Sequence, residues 1–471
     1  MRRNTLVIIF FLLTACGRTV IQPPTPPTEI TLEQQNLYGN FPRRLLGADI
    51  DVVDPKLQST EVNELRLVTM PEDYIPVTSY YWLFPNNNNT NVGALLGKIL
   101  LQDSEFKNQL RQTSMTFAVD SSDEYFLISG RLPSMNVARG MKLLVYSLKE
   151  VKLTKNYFNE ALHESQINNI ISGQDIYTQV LNELYHRLYP EGHPLRNRYS
   201  GVGTRNVELQ NVSDFYRENI VLSGSTLILR SDQTHEQLVG TLTGVLGSLS
   251  QSGATERPNA LIEQDSNHFS AKKRQPIIHI INRSGSVQSG IGLGWLTVDM
   301  NHTDYPALLM FSMAVTDRLF HDAREKHGWT YDIFATQHSS SFIAPFTVLT
   351  SCSNRHTVAC LSAILKHVSY GSRTLLSGEE LAEIKHRTIA DMDLNLNNQG
   401  WLGLQIVRTN GLTSFNRWYE NLGKAFQSLT AGDIKQAVAP YFNLHPVIVI
   451  LGDKDTIESY VSQYFPEYSV E

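Results

Sequence analysis

The sequence of 471 residues lacks several features that would assign it to a common functional class. It has no G-x-S-x-G element, which excludes the nucleophile elbow of an α/β-hydrolase. Charged residues make up 18% of the chain and the net charge is −6, so the basic surface that nucleic-acid binding requires is missing. There are only three cysteines, and none stands in a catalytic setting. The remaining composition, 41% hydrophobic, is typical of a globular protein.

The N-terminus has the pattern of an export signal. Arg2 and Arg3 precede the apolar run Leu6–Leu13, which is too short to span a bilayer because a helix needs roughly 20 apolar residues. The run ends in L-T-A-C, which resembles a bacterial lipobox, and the cysteine is Cys16. We therefore predict a lipoprotein signal peptide at residues 1–15 and lipidation of Cys16. An ordinary secretory signal with an incidental cysteine is the alternative.

The residues after Cys16 predict a membrane anchor and a tether. Acyl chains on the cysteine would give a stable attachment to the membrane. Gly17 follows, where many bacteria use Asp to retain lipoproteins at the inner membrane, so the outer membrane is favoured. Residues 18–29 are rich in Pro and Thr, which predicts an extended tether within residues 16–50. The sequence leaves open whether the protein faces the periplasm or the cell surface.

The rest of the chain repeats itself at a spacing of about 220 residues. Phe126 in Y-F-L-I-S-G corresponds to Phe346 in P-F-T-V-L-T-S. Asp232, which ends T-L-I-L-R-S-D, corresponds to Asp453, which ends V-I-V-I-L-G-D. Because these matches share one register, they predict two homologous domains, each long enough to form its own core.

Both halves have the same order of local patterns. Alternating strands such as Val77–Phe84 and Ile277–Ile281 come first, and amphipathic helices such as Met135–Leu148 and Glu379–Met392 follow. This order predicts the α+β class, with each domain a largely antiparallel sheet that has helices packed on one face. The predicted boundaries are 51–247 for the N-terminal domain, 248–275 for a polar linker and 276–471 for the C-terminal domain.

The most specific segment is Arg318–Ala335, which reads R-L-F-H-D-A-R-E-K-H-G-W-T-Y-D-I-F-A. It resembles the C-terminal domain of the insulinase/pitrilysin-type (inverted-zincin) metallopeptidases, whose pattern is close to S-R-L-F-x-x-[IL]-R-E-K-x-G-[LW]-x-Y. In that family an Arg and a Tyr, seven residues apart, contact the bound peptide. The resemblance implies that Arg324 and Tyr331 are substrate-contacting residues, and that two insulinase-like domains form a clam.

The zinc motif of the same family, H-x-x-E-H, is absent from the whole sequence. Zinc-dependent peptide hydrolysis needs imidazole and carboxylate ligands and a general base. Aligning the family motif on the predicted helix 91–106 places Leu96, Ile99 and Leu100 at the His, Glu and His positions. Glu164 approximates the distal zinc ligand, but one carboxylate is not a site. We therefore predict that the chain has no metal, no cofactor and no catalytic residue of its own, and that zinc is carried only by a partner subunit.

Three other motifs are interpreted as structural. His321 and Glu325 have helical spacing and are expected to form an ordinary solvated surface pair. The glycine-rich strings at 200–206 and 289–295 are not followed by the Lys-Ser/Thr of a phosphate loop. The second string lies in an alternating strand pattern, so turn and bulge glycines are the better interpretation.

Cys352 and Cys360 are the two cysteines of the C-terminal half. They are eight residues apart, at the end of a predicted strand and in the following helix. An oxidising periplasm would allow a disulfide between them, and the sequence leaves the free and the bonded states open.

Three functions fit the sequence. The first is a non-catalytic lipoprotein subunit that supplies the Arg324 and Tyr331 half of a peptidase site to a zinc-bearing homologous partner, as some members of the family divide their site. The second is a peptide-binding or scaffold pseudopeptidase at the cell envelope. The third is an active zinc metalloendopeptidase with atypical ligands. The expected partners are the homologous subunit, a peptide and the membrane, with no nucleic acid.

The lipobox gives a direct prediction. Cys16→Ser should abolish incorporation of labelled fatty acid, because the acylated thiol is lost, and the protein should leave the detergent phase on phase partitioning. A variant that still incorporates label and partitions like the wild type would contradict lipidation at Cys16.

Overall fold

The architecture is described from a computed structural model. It describes residues 56–71, 75–85, 90–121, 125–172, 174–199, 207–246, 276–409 and 411–471. The signal peptide, Cys16, the tether, the glycine-rich string 200–206 and the linker 248–275 lie outside these residues. No helix in the described ranges is long and apolar enough to cross a membrane.

Each half of the chain combines strands and helices. The first half contains β1 (Gln58–Val62), β2 (Leu65–Pro71), β3 (Val77–Pro85), α1 (Thr90–Leu100), α2 (Ser104–Gln112), β4 (Ala118–Ser121), β5 (Tyr125–Pro133), α3 (Val137–Lys149), α4 (Lys155–Ser172), α5 (Ile176–Leu188), α6 (Leu209–Asn219), β6 (Thr226–Ser231) and α7 (His235–Leu246). The second half contains β7 (Ile277–Asn282), β8 (Gln288–Leu296), α8 (Tyr305–Leu319), a π-helical turn (Phe320–Lys326), β9 (Thr330–Gln337), β10 (Pro345–Ser353), α9 (Thr357–Arg373), α10 (Gly378–Leu396), α11 (Gln399–Arg408), α12 (Leu412–Ser428), α13 (Ala431–Phe442), β11 (Val447–Gly452), α14 (Lys454–Tyr464) and β12 (Ser469–Val470).

The two halves share the topology of five strands in each sheet, and they differ at the sixth, because β1 is antiparallel to β2 whereas β12 is parallel to β7. Over the described residues, the first sheet has the strand order β1-β2-β6-β3-β5-β4 and the second has the order β12-β7-β11-β8-β10-β9. In each sheet one inner pair is parallel, β2 with β6 and β7 with β11, and the three pairings that follow it are antiparallel. The predicted α+β class with largely antiparallel sheets is therefore confirmed, and the matching strand orders agree with the repeat seen in the sequence. The exact domain boundaries stay a prediction.

Helices of the same half cover one face of each sheet, as expected. Helices α1, α3 and α7 pack against strands of the first sheet, and α8, α9 and α13 pack against strands of the second. Aromatic side chains fill the second core: Phe311, Phe346 and Phe442 contact one another, with ring centroids 4.9–5.6 Å apart.

The other face of the second sheet is covered by a helix of the first half. Helix α5 lies across β8, where Gly290, Gly292 and Gly294 share one face. A Cβ atom added to Gly292 would overlap Val180 of α5, and one added to Gly294 would lie 2.9 Å from Leu188. These glycines therefore permit the close approach of α5. The predicted bulge at this string is wrong, because β8 pairs with β10 in continuous register from Gln288 to Leu296.

A helix of the second half likewise packs against the first sheet. Helix α11 packs against β3 and β6. A Cβ atom added to Gly403 of α11 would lie 2.6 Å from Leu83 and 2.8 Å from Ile228. Each half thus completes the covering of the sheet in the other half, and the two sheets are joined through these exchanged helices.

The helix predicted at 91–106 is two helices in the structure. Helix α1 ends at Leu100, and Asp103 starts α2 by accepting hydrogen bonds from the backbone N–H groups of Glu105 and Phe106. An aspartate in this position favours a new helix start over continuation, because its side chain competes for backbone donors.

The glycine face of β8 gives a stability prediction. Gly292→Val should lower the free energy of unfolding by about 1–3 kcal/mol, because the new side chain must displace Val180 from a packed interface. Chemical denaturation would measure the loss. The matched control is Gly240→Ala at an exposed position of α7, where an added Cβ meets no atom within 4 Å and helix propensity adds about 0.5–1 kcal/mol. Equal stability of the two variants would contradict the close packing of α5.

Candidate functional site

The structure brings Arg324 and Tyr331 together. The guanidinium carbon of Arg324 lies 5.0 Å from the ring centroid of Tyr331 and 4.6 Å from that of Phe320. Both separations are within the range of cation–π contact. The Tyr331 side chain is 82% exposed at the start of β9. The two residues that the sequence singled out therefore form one surface cluster with Phe320.

A π-helical turn creates this contact. It continues α8 from Phe320 to Lys326 and is closed by a hydrogen bond from the His327 N–H to the Asp322 carbonyl, 3.2 Å long. Gly328 then reverses the chain with φ +64°, a value that favours glycine, and β9 begins at Thr330. Turns of this kind are rare and are found frequently at functional sites. Nothing in the sequence pattern distinguished this turn from an ordinary helix end.

A buried ion pair fixes the start of the turn. Arg318 donates two hydrogen bonds to the carboxylate of Glu380 in α10, 3.0 and 3.1 Å long. Glu380 also accepts from the Ser377 N–H, and its own N–H donates to the Ser377 hydroxyl, so it caps α10 at the same time. The two hydrogen bonds between Arg318 and Glu380 thus hold the segment Arg318–Ala335 on α10 in a fixed direction.

A residue of the first half anchors β9, and sequence reasoning missed it. The Tyr177 hydroxyl of α5 donates to the Asp332 carboxylate at 2.6 Å, and the Ser351 hydroxyl lies 3.1 Å from the same phenolic oxygen. Burial, followed by the bond to Asp332, raises the pKa of Tyr177 above its ordinary value. Asp332 is the neighbour of Tyr331, so the exchanged helix α5 holds the strand that presents Tyr331. No local signal marks a pair of residues this far apart in the chain.

The positions aligned with the zinc motif are part of the core. Leu96, Ile99 and Leu100 of α1 are at most 5% exposed and belong to the first hydrophobic cluster. Glu164 of α4 does lie beside α1, but it contacts Lys98, whose ammonium is 3.7 Å from its carboxylate. Glu164 therefore forms an ion pair at the surface, whereas the three aligned side chains are buried. The Glu164 carboxylate contacts the ammonium group of Lys98 on α1, and this positive charge repels a metal cation.

The other titratable candidates form no metal-binding group. His321 and Glu325 make an exposed hydrogen-bonded pair, 2.9 Å apart, as expected of a solvated surface. Across the described ranges of the chain there is no group of three His, Cys, Asp or Glu side chains that could hold a metal ion.

Cys352 in β10 and Cys360 in α9 are buried free thiols in this structure. A hydrogen bond with Cys352 and burial raise the pKa of the Cys360 thiol well above its ordinary value, which makes it a poor nucleophile at neutral pH. The disulfide between them stays a prediction for the oxidised protein.

A family comparison identifies this segment. The model of the peptidase M16 inactive domain matches residues 206–388, which include Arg324 and Tyr331. This part of the chain is thus similar to an insulinase-type, M16-family domain, and the sequence lacks the zinc motif. The family resemblance predicted from the sequence is thus confirmed. No curated protein sequence matches the chain.

Several solved structures share the fold over most of the chain. An M16 inactive domain from Pseudomonas fluorescens is 18% identical with a TM-score of 0.69, and the match covers 84% of this chain and 98% of that one. A protease from Helicobacter pylori is 13% identical with a TM-score of 0.71, covering 84% and 99%. A chain of complex III2 from Candida albicans, solved with Inz-5 bound, is 12% identical with a TM-score of 0.67, covering 87% and 99%. At these identities the matches show the fold, which agrees with the expected arrangement of two insulinase-like domains.

The aliphatic residues on α1 give a prediction about this chain in the absence of any partner. The purified, tag-free chain should contain far less than one zinc per molecule, and a fluorogenic peptide should be cleaved at the same background rate with and without chelator. Elemental analysis and a peptide assay measure both quantities. Stoichiometric zinc with chelator-sensitive turnover would contradict the prediction and support atypical ligands.

Proposed function

We propose that this chain is a non-catalytic M16 subunit that supplies Arg324 and Tyr331 to a peptidase site whose zinc is bound by a homologous partner. One observation carries the proposal. The substrate-contacting pair expected from the family is assembled at the surface, whereas the positions expected to bind zinc are aliphatic and buried. A chain that had lost both functions would not need to keep the exposed pair in contact.

The chemistry of the pair suits a bound peptide. The rings of Phe320 and Tyr331 lie near the Arg324 guanidinium carbon. The donors of the guanidinium match the geometry of a carboxylate and can also bind a peptide carbonyl. The Tyr331 hydroxyl can donate to an oxyanion that develops on the peptide when a zinc-bound water attacks it. This chain would contribute binding and electrostatic stabilisation, and its partner would contribute the metal and the base.

The comparisons support, at the level of the fold, both a role in peptide hydrolysis and assembly with a partner chain. A protein of similar fold is a protease in Helicobacter pylori, and another is part of a complex in Candida albicans. The same fold thus occurs in a peptidase and in an assembly of chains.

A peptide-binding or scaffold role is the second candidate. The observation in its favour is that Arg324 already contacts two rings of its own chain, so the cluster can exist as a structural element without a substrate. Under this alternative the chain binds a peptide or partner without contributing to hydrolysis.

We also propose that the folded body is attached to the cell envelope through lipidated Cys16, with the outer membrane favoured. The lipobox and the following Gly17 support this localisation. The Pro- and Thr-rich residues that follow would separate the body from the lipid surface.

The proposal predicts the effect of two substitutions on a reconstituted pair. Arg324→Ala and Tyr331→Phe should each lower peptide cleavage by on the order of 10²–10³, the usual effect of removing one donor to a developing oxyanion. Thermal stability and complex formation should be nearly unchanged, because both side chains lie at the surface. The assay uses the zinc-bearing homologue from the same genome, co-expressed and co-purified with this chain.

Matched controls separate the site from general surface effects. Arg217→Ala removes a 68% exposed arginine of α6, and Tyr146→Phe removes the hydroxyl of a 61% exposed tyrosine of α3. Both should retain the wild-type rate. A pair that never associates, or one whose rate is indifferent to the Arg324 and Tyr331 substitutions, would favour the scaffold role.

A further inference from the structure

A buried carboxylate lies within the π-helical turn that carries Arg324. Asp322 is 2% exposed, and one of its oxygens is 2.8 Å from Nε2 of His367 in α9. Its other oxygen is 3.4 Å from Nε2 of His327, which stacks on Trp329 with ring centroids 4.3 Å apart. Asp322 and His327 occupy positions that the family pattern leaves unspecified, so the resemblance assigns them no role.

The carboxylate of Asp322 is held as an anion. Burial raises its pKa, but the hydrogen bond from His367 and the charges of His367, His327 and Lys326 outweigh burial, so the pKa of Asp322 is below its ordinary value. A buried anion is costly unless it is hydrogen-bonded. The bond from His367 is therefore a strong constraint on where this turn can lie.

The hydrogen bond between Asp322 and His367 also affects the contact between Arg324 and Tyr331. Helix α9 packs against both the π-helical turn and α8, and the bond between Asp322 and His367 ties the turn to α9 at one point. Arg324 follows two residues later, on the part of the turn that places its guanidinium beside Phe320 and Tyr331. Without the bond, the turn could relax towards ordinary α-helical hydrogen bonding, which would rotate Arg324 away from Tyr331.

We propose that Asp322, held by His367, is a positioning residue that sets Arg324 against Tyr331 for contact with a carboxylate or carbonyl group of a bound peptide. The contribution to peptide contact rests on the proposed function. The positioning of Arg324 does not depend on it and can be measured in this chain alone.

The test measures the Arg324 side chain directly. In full-length protein labelled with ¹⁵N-arginine, the side-chain N–H signal of Arg324 is assigned by its loss in Arg324→Lys. The rings of Phe320 and Tyr331 should shift this signal upfield in the wild type. Asp322→Ala should abolish the ring-current shift, whereas Asp322→Asn should retain it, because the amide oxygen still accepts from His367.

The same variants are then assayed with the zinc-bearing homologue. Asp322→Ala should lower the cleavage rate by up to about 10²-fold, the scale expected when a catalytic contact is misplaced by roughly 1 Å. Asp322→Asn should stay close to the wild type. If Asp322→Ala does not fold, His367→Phe removes the donor in its place, and His367→Gln, which keeps a donor, is its control.

The outcomes separate this inference from the proposed function. An unchanged Arg324 signal in a folded Asp322→Ala or His367→Phe variant overturns the positioning role, even if Arg324→Ala lowers the cleavage rate. Equal loss of the ring-current shift in Asp322→Asn also overturns it, because the hydrogen bond would then not be the cause. Loss of the ring-current shift in Asp322→Ala alone supports positioning, even if Arg324→Ala leaves the rate unchanged and the proposed function fails.

Discussion

The close approach of α5 to the glycine face of β8 is the contact on which the rest of the structure depends. Gly292 and its neighbours remove side chains from that face, and Val180 occupies the space. The exchange of α11 onto the first sheet completes the arrangement, so separating the halves would expose an apolar face on each sheet. Because α5 also carries Tyr177, which holds Asp332 beside Tyr331, the packing between the halves and the geometry of the candidate site are parts of one arrangement.

The two halves have diverged in opposite directions around this shared frame. In the second half, the ion pair between Arg318 and Glu380 and the π-helical turn hold half-buried Arg324 beside exposed Tyr331. In the first half, the helix aligned with the zinc motif became a packed element of the core, and Lys98 pairs with Glu164. A leucine in a core stabilises the fold, whereas a histidine pair without a metal would destabilise it, since buried polar groups need partners. Absence of the H-x-x-E-H motif and retention of the contact between Arg324 and Tyr331 are therefore compatible with a stable protein.

Local patterns predicted the sheets, the repeat and the segment that contains Arg324 and Tyr331, because strand alternation and a conspicuous motif are encoded by neighbouring residues. They did not predict the helix exchange, the bond between Tyr177 and Asp332 or the bond between Asp322 and His367. Those contacts join residues that only the tertiary fold brings together. The role of the glycines in β8 was likewise not predicted from local patterns. Their spacing fitted a strand, but the partner that explains them, α5, lies more than a hundred residues away.

We propose that Arg324 and Tyr331 contact a peptide in a site completed by another chain. Photocross-linking from position 331 tests it most directly, with p-benzoylphenylalanine in place of Tyr331, a labelled peptide, and the zinc-bearing homologue kept inactive by chelator so that the peptide stays intact. We expect a cross-link between this chain and the peptide that forms only when the homologue is present. No cross-link to the peptide, or one that forms equally without the homologue, would contradict it.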